Sequence, residues 1–381
     1  MKMKKTAILF VLLFVVVSCG PKQENVQVIT EDGVEVVLNH IEPYQVRGEK
    51  MSLVLEDEMT IDFGSDEIGE LGIANATLFC VDSTGGIYFC QNDHEGDLIC
   101  KFSRVGRFER SFGAKGQGPG EIQYAIEMIC DAEDRLVVSD ISRRKILRFS
   151  QDGELIDEKR HPELDGSMTP LKNGHYLHLR DKRVESSEYY YWELVLLNPQ
   201  MEEIKVLDVQ KVLPPDFENM RGVNSRSYFR WKSTDDSIYV VSEDRGYEFL
   251  QFDLNGTLIR KIRKKYRPVP VSDEIIKERT EQYKEFGVKA WFPKYWLPIC
   301  NFVVDEEGRI FAMTFENGEK AGEYITNIFN LAGVYVGDVG LEILHVGDAD
   351  ICAKIRNNRL YYFRKKSDEF LEFKVSRMKW E

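Results

Sequence analysis

The stretch MICDAEDRLVVSDISRRKILRFSQDGELIDE, Met128 to Glu158, decides the fold. Met128–Cys130 leads into the acidic turn Asp131–Arg135, and Leu136–Val138 returns from it. A second apolar run, Ile146 to Phe149, enters the turn at Asp152-Gly153, and Leu155-Ile156 comes back. Short apolar or alternating runs bounded by Asp, Asn and Gly read as strands joined by tight turns. Asp152-Gly153 predicts a two-residue type I′ turn, in which both central residues take positive φ. The stretch is therefore two consecutive hairpins, a unit of four antiparallel strands.

The unit recurs along the chain. Its first hairpin returns as FCVDSTGGIYFC (79–90) and FVVDEEGRIFAM (302–313). Weaker copies are TPLKNGHYLHL (169–179), RWKSTDDSIYVVS (230–242) and AKIRNNRLYYF (353–363). The second hairpin returns as KFSRVGRFERSF (101–112), LLNPQMEEIKVL (196–207), QFDLNGTLIRKI (251–262) and IFNLAGVYVGDV (328–339). Asn255-Gly256 carries the same type I′ signal as Asp152-Gly153. A four-stranded sheet cannot cover both its faces alone. Stacking such sheets around an axis covers them, and closing the ring shields the edges. The six copies predict an all-β fold, a β-propeller of six four-stranded blades over residues 51–381. The sixth copy runs out of chain after DEFLEFKVSRMKW (368–380), its third strand. A strand within MSLVLEDEMTIDF (51–63) can supply the fourth and close the ring.

FGAKGQGPGEI (112–122) concentrates glycine between two units. A phosphate-binding loop needs Gly-Lys-Ser/Thr opening a helix, and a dinucleotide site needs its glycines between a strand and a helix. Here Pro119 follows Gly118, no Ser or Thr follows a Gly-Lys pair, and the next segment is strand-like. The glycines supply backbone freedom where the chain turns from the rim to the axis. VVSDISRRKILRFSQDGELI (137–156), with Asp140, Ile146 and Phe149, resembles an NHL-type repeat, and FGAKGQGPGEI resembles the connector before the next blade in that family.

The chain opens MKMKKTAILFVLLFVVVSCG. The basic head and the apolar run Ala7–Val17 fit a secretory signal and are too short to span ~30 Å of hydrocarbon. Val-Val-Ser-Cys-Gly resembles the lipobox of bacterial lipoproteins. That resemblance implies removal of residues 1–18 and lipidation of Cys19, with residues 19–50 a tether or short hairpin. Taken with the repeats, the chain resembles the six-bladed β-propeller lipoproteins of Bacteroides type, which implies a cell-envelope location. The formal charge is −13, and the signal segment carries away lysines but no acid. So acidic a protein is repelled by nucleic acid and anionic headgroups, which leaves the lipid as the membrane attachment. Cys80, Cys90 and Cys100 are spaced ten apart, which sets them side by side on neighbouring strands. Cys80–Cys90 or Cys90–Cys100 could bridge, with buried free thiols as the other reading.

One segment breaks the period. PVPVSDEIIKERTEQYKEFGVKAWFPKYWLP (268–298) has an N-cap at Ser272, acids in the first turn, apolar residues at helical spacing and a stop at Gly287. A helix followed by Trp291, Phe292, Tyr295 and Trp296 either lids a binding funnel or glues the insertion to a blade. Trp291, Tyr295 and Trp296 are the candidate ligand-stacking residues. MRGVNSRSYFRW (220–231) adds Arg221, Arg226 and Arg230, whose guanidiniums suit an anionic group. His175 and His178 stand at i and i+3 on a strand and point opposite ways. The acidic turns at Asp131–Asp134 and Asp305–Glu307 read as solvated hairpin tips. No nucleophile elbow, zinc spacing or cofactor motif is present in the sequence. The expectation is a membrane-anchored binding or scaffolding module for a glycan, a peptide or an envelope protein, without a cofactor or nucleic acid. The alternative is a lactonase- or lyase-like enzyme with a divalent ion in the channel. Its ligands would come from positions such as Asp82, Asp131, Asp305 and Asn357, where turn chemistry is the competing explanation.

Overall fold

The computed structural model describes residues 26–46, 52–73, 76, 78–93, 95–161, 166, 168–184, 187–213, 216, 218–223, 228–320, 322–342, 353–365 and 371–381. The signal segment, Cys19, Arg226 and Cys352 lie outside them. Blade one is built from Leu78–Val81, Ile87–Cys90, Asp97–Phe102 and Phe108–Ala114. Blade two is Ala125–Cys130, Leu136–Asp140, Lys145–Phe149 and Leu155–Arg160. Blade three is Met168–Pro170, Tyr176–Arg183, Tyr190–Leu197 and Glu203–Val212. Blade four is Phe229–Ser233, Ser237–Ser242, Glu248–Asp253 and Leu258–Lys264. Blade five is Asn301–Val304, Ile310–Asn317, Tyr324–Phe329 and Tyr335–Leu341. Blade six takes Ala353–Arg356, Arg359–Lys365 and Leu371–Trp380 from the end of the chain, and Leu53–Asp62 from its beginning. The fold is the expected all-β ring of six four-stranded blades. The first strand of each blade is innermost, and neighbouring first strands meet around the axis.

Six clusters of buried apolar side chains hold the ring, one at each interface between neighbouring blades. Both faces of each sheet are thus covered by neighbours, which is why the strands read as nearly continuous apolar runs. The seam between blades six and one is rich in phenylalanine: Phe63, Phe79, Phe89, Phe102, Phe363 and Phe373 share one cluster. Leu53–Asp62 pairs antiparallel with Leu371–Trp380, from Ile61 opposite Phe373 to Leu53 opposite Trp380. The two ends of the chain close the circle by hydrogen bonds.

The turns depart from the sequence expectation. Gly153 and Gly256 have positive φ, but Asp152 and Asn255 do not. Both hairpins instead close through a longer turn with a bulge, at Arg148/Phe149 and Gln251/Phe252. The reason is side-chain chemistry. Ser150 Oγ accepts from the Asp152 and Glu154 amides, and Asp253 Oδ1 from the Asn255 and Thr257 amides. Such a bracket spans four residues and favours the longer loop. Positive φ at both central residues occurs at Asp32-Gly33 and Asn357-Asn358.

Residues 27–46 are more than a tether. Gln27–Glu31 and Val34–Asn39 form a hairpin that pairs in parallel with the outer strand of blade four, extending that sheet to six strands. Arg263 grips Glu31 through two bonds of 2.6 and 2.8 Å. Asn39 bonds Gly333 O and the Tyr335 amide of blade five.

Candidate functional site

The helical insertion and the approach to blade four, two separate stretches of sequence, meet in space. Ser272 caps helix α1 (Asp273–Glu285) by accepting from the Ile275 amide, and Gly287 follows it at φ 69°. No residue of this helix is fully buried. Beyond it, Lys289–Trp291 pairs in parallel with Asn219–Arg221 from the connection between blades three and four. The Gly222 amide donates to Trp291 O at 2.8 Å, and Tyr283 Oη donates to Arg221 O at 3.3 Å. The insertion is thereby fastened to the neighbouring connection, on the face where last strands lead to first strands.

The aromatic residues divide by role. Trp291 is 47 % exposed and Tyr295 43 % exposed. Trp296 stacks flat on Phe315 of blade five, with centroids 4.2 Å apart and planes at 12°, so it anchors the insertion and offers no free face there. The Arg221 guanidinium lies 5.1 Å from the Trp291 ring centroid, and its Nη1 reaches Glu243 Oε2 at 3.3 Å. Arg221 Nε is buried and has no hydrogen-bond partner among the described residues. Arg221, Val223, Pro293, Tyr295, Trp296, Leu297 and Phe315 enclose about 20 Å³, room for about one water molecule. A larger ligand would have to stack on the outer faces of Trp291 and Tyr295. Arg230 does not join this group: it sits on the inner strand of blade four, over the Tyr228 ring and bonded to Phe229 O. Arg226 falls outside the described residues.

On the opposite face the acidic turns carry exposed glutamates (Glu133, Glu306, Glu307), as expected, but their aspartates do structural work and are not solvated tips. Asp82, Asp131 and Asp305 each accept two backbone amides of their own turn through Oδ1. Asp82 and Asp305 are buried. Burial pushes the Asp305 carboxyl up, against the pull of the Arg309 amide and guanidinium. Asp134 accepts the Ser83 amide of blade one at 2.7 Å and faces Arg356 of blade six. Glu306 of blade five accepts the Asn357 amide, and Asn357 Nδ2 donates to Ser83 O. Nearer the axis, Lys354 Nζ reaches Met128 O at 3.2 Å, and Thr169 Oγ1 donates to Glu127 at 2.7 Å. Among the described residues no three His, Cys, Asp or Glu side chains gather closely enough to hold a metal ion. His175 contacts Leu254 O while His178 is buried.

The glycine-rich connector turns a corner. Its amides are taken by carboxylates of the chain itself: Gly118 donates to Glu121 at 2.7 Å and Gly120 to Glu158 at 3.2 Å. Lys145, fully buried, fixes the loop through Gly118 O and Glu158, both at 3.1 Å. The side-by-side placement expected of the blade-one cysteines does not hold. Leu78 stands opposite Cys90 and Phe89 opposite Cys100, so Cys80, Cys90 and Cys100 are staggered. Cys90 and Cys100 also belong to clusters on opposite faces of the blade. Cys80, Cys90 and Cys100 form no disulfide, in line with the free-thiol reading, and Cys80 Sγ lies 2.9 Å from Cys130 Sγ of blade two.

Residues 78–265 match the family model DUF5128, described as a 6-bladed β-propeller. A protein of Bacteroides fragilis classed as exported shares the fold at 14 % identity and a TM-score of 0.50, over 90 % of this chain and 99 % of its own. A DUF4221 family member from Bacteroides vulgatus aligns at 13 % identity and TM-score 0.47, over 87 % and 100 %. Virginiamycin B lyase from Staphylococcus aureus aligns at 10 % and 0.43, over 85 % and 99 %. No curated protein matches the chain in sequence. By its matched repeats and its closed ring, the chain folds as a six-bladed β-propeller.

Proposed function

We propose that the protein is an exported, lipid-anchored binding or scaffolding module whose ligand, a glycan, a peptide or an envelope protein, docks on the insertion face. The observation that carries this reading is the meeting of Arg221 with Trp291 and Tyr295. Two half-exposed aromatic faces stand beside the partly exposed Arg221 guanidinium. Flat aromatic surfaces suit sugar rings and peptide side chains. The recurrent aspartates are engaged in turns, which leaves the binding reading ahead of a metal-dependent one.

Thermal unfolding against a panel of oligosaccharides and peptides tests the site. A ligand at a hundred times its Kd adds about 2.7 kcal/mol, a shift of a few degrees. The shift should vanish in Trp291→Ala and shrink in Tyr295→Ala. A shift that survives both substitutions would place the ligand elsewhere. Anchoring is tested separately by palmitate labelling in cells. Cys19→Ser should abolish both the label and membrane retention, and an unlabelled wild-type protein would rule the anchor out.

A further inference from the structure

A cleft of about 330 Å³ opens between blades six and one, on the face away from the insertion. Blade one contributes the turns bearing Thr84 and Arg104, and blade six contributes Arg359, Arg377, Tyr361 and Glu58. Glu58 is shared. Arg359 Nη2 donates to its Oε1 at 3.3 Å, and Arg377 Nε donates to the same oxygen at 2.6 Å. Arg359 is held further by Asn357 O at 3.1 Å. The exposed Arg104 makes no hydrogen bond or ion pair with any described residue. Three guanidiniums therefore face one carboxylate, in a chain whose formal charge is −13.

Such a local excess is costly to keep unless something answers it. Acids outnumber bases 64 to 51, yet among the described residues no second carboxylate lines this cleft. The charges are also prearranged, because Glu58 and Asn357 O fix Arg359, and Glu58 fixes Arg377, before any ligand arrives. Guanidinium N–H groups match the oxygens of carboxylate, sulfate and phosphate in pairs. Met59, Val375 and the Tyr361 ring give the walls an apolar part, and the volume lies at the lower end of small-molecule sites.

We propose that this cleft is a second binding site, which takes a sugar-sized molecule bearing one anionic group, with the anion held by Arg104 and Arg377 and the ring against Met59 and Val375. The site is independent of the insertion face, and Trp291 takes no part in it. Isothermal titration of the full chain at low salt tests it, with glucuronate, glucose 6-sulfate, inorganic phosphate and neutral glucose as probes. Glucuronate or glucose 6-sulfate should bind at least ten-fold more tightly than glucose. Arg104→Ala should weaken that binding by about ten-fold or more, the scale of a lost charge-assisted hydrogen bond. Arg377→Ala gives the same readout should the first variant be unstable, and Trp291→Ala should leave the Kd unchanged. Phosphate binding as tightly as the sugar acids, with the same response to Arg104→Ala, would keep the anion subsite and remove the sugar from the proposal. Equal affinity for glucose and glucuronate, binding within two-fold of wild type in Arg104→Ala, or no binding of any anionic probe would overturn it.

Discussion

Removing the Phe373 ring tests how the circle is kept closed. Phe373 is fully buried in the strand of blade six that pairs with the beginning of the chain. Its ring centroid lies 4.8 Å from Phe89, 4.9 Å from Phe79 and 5.2 Å from Phe363, so one side chain joins blades six and one. Phe→Ala in a packed core costs about 3–5 kcal/mol through lost transfer energy and a cavity. A propeller of this size, at about 2.1 cal/mol/K per residue, unfolds with an entropy of roughly 0.7 kcal/mol/K. The quotient is a fall in Tm of about 4–7 °C, read by calorimetry. Phe108→Ala serves as the comparison, because that ring is half-exposed on the outer strand of blade one and should move Tm far less. A loss under 2 °C for Phe373→Ala, or equal losses for the two variants, would show that the aromatic seam does not hold the ring.

Three further outcomes are expected. Hydrogen bonding from Arg359, and then from Arg377, holds the Glu58 carboxyl below its usual value of 4.5 despite some desolvation. A depressed carboxylate stabilises above its unfolded pKa and loses that contribution as pH falls through the folded one. Tm should therefore decline below about pH 4.5, and calorimetry on Glu58→Gln should show a shallower acid limb; an unchanged limb would refute the assignment. Burial pushes the Cys90 thiol up to about 12 and Cys100 to about 11. Mass spectrometry after iodoacetamide at pH 8 should find both unmodified in the native protein and alkylated in urea, and rapid native labelling would contradict the packing. Gly222 faces the Phe292 ring with no room for a Cβ. Gly222→Ala should loosen the insertion and shift tryptophan fluorescence to the red with little loss of global Tm, and an unchanged spectrum would mean the contact is soft.

The fold was legible because a blade is a local object. Two hairpins lie within a few dozen residues, and alternation with Asp, Asn and Gly at the turns marks them. Closure by the first strand followed from the missing fourth strand of the sixth unit. The turn type was misjudged because an Asp-Gly pair carries no sign of the Ser150 or Asp253 side chain that brackets the longer loop. Trp291 and Tyr295 were legible as a break in the period, while the anchoring role of Trp296 depended on Phe315, a residue of another blade. The arginine cleft was not legible. Arg359 and Arg377 face each other on paired strands, but Glu58 and Arg104 come from the other end of the chain, and ring closure alone brings them to that pair. The Cys80–Cys130 contact was hidden in the same way, since spacing within one blade says nothing of what the next blade presents.

If Cys19 carries a lipid, as proposed, the hairpin of residues 27–39 sets which side of the ring lies near the membrane. With a lipid on Cys19, as proposed, eight peptide units separate the anchor from Gln27, a reach of at most ~28 Å when fully extended. Gln27 is paired into the blade-four sheet and cannot lengthen that leash. The rim of blade four is then moored close to the bilayer, and the seam of blades six and one lies across the ring from that rim. A bulky envelope partner has open approach from the far rim and is crowded out at blade four. Lengthening the leash between Cys19 and Gln27 would relax that constraint without altering a single contact within the propeller.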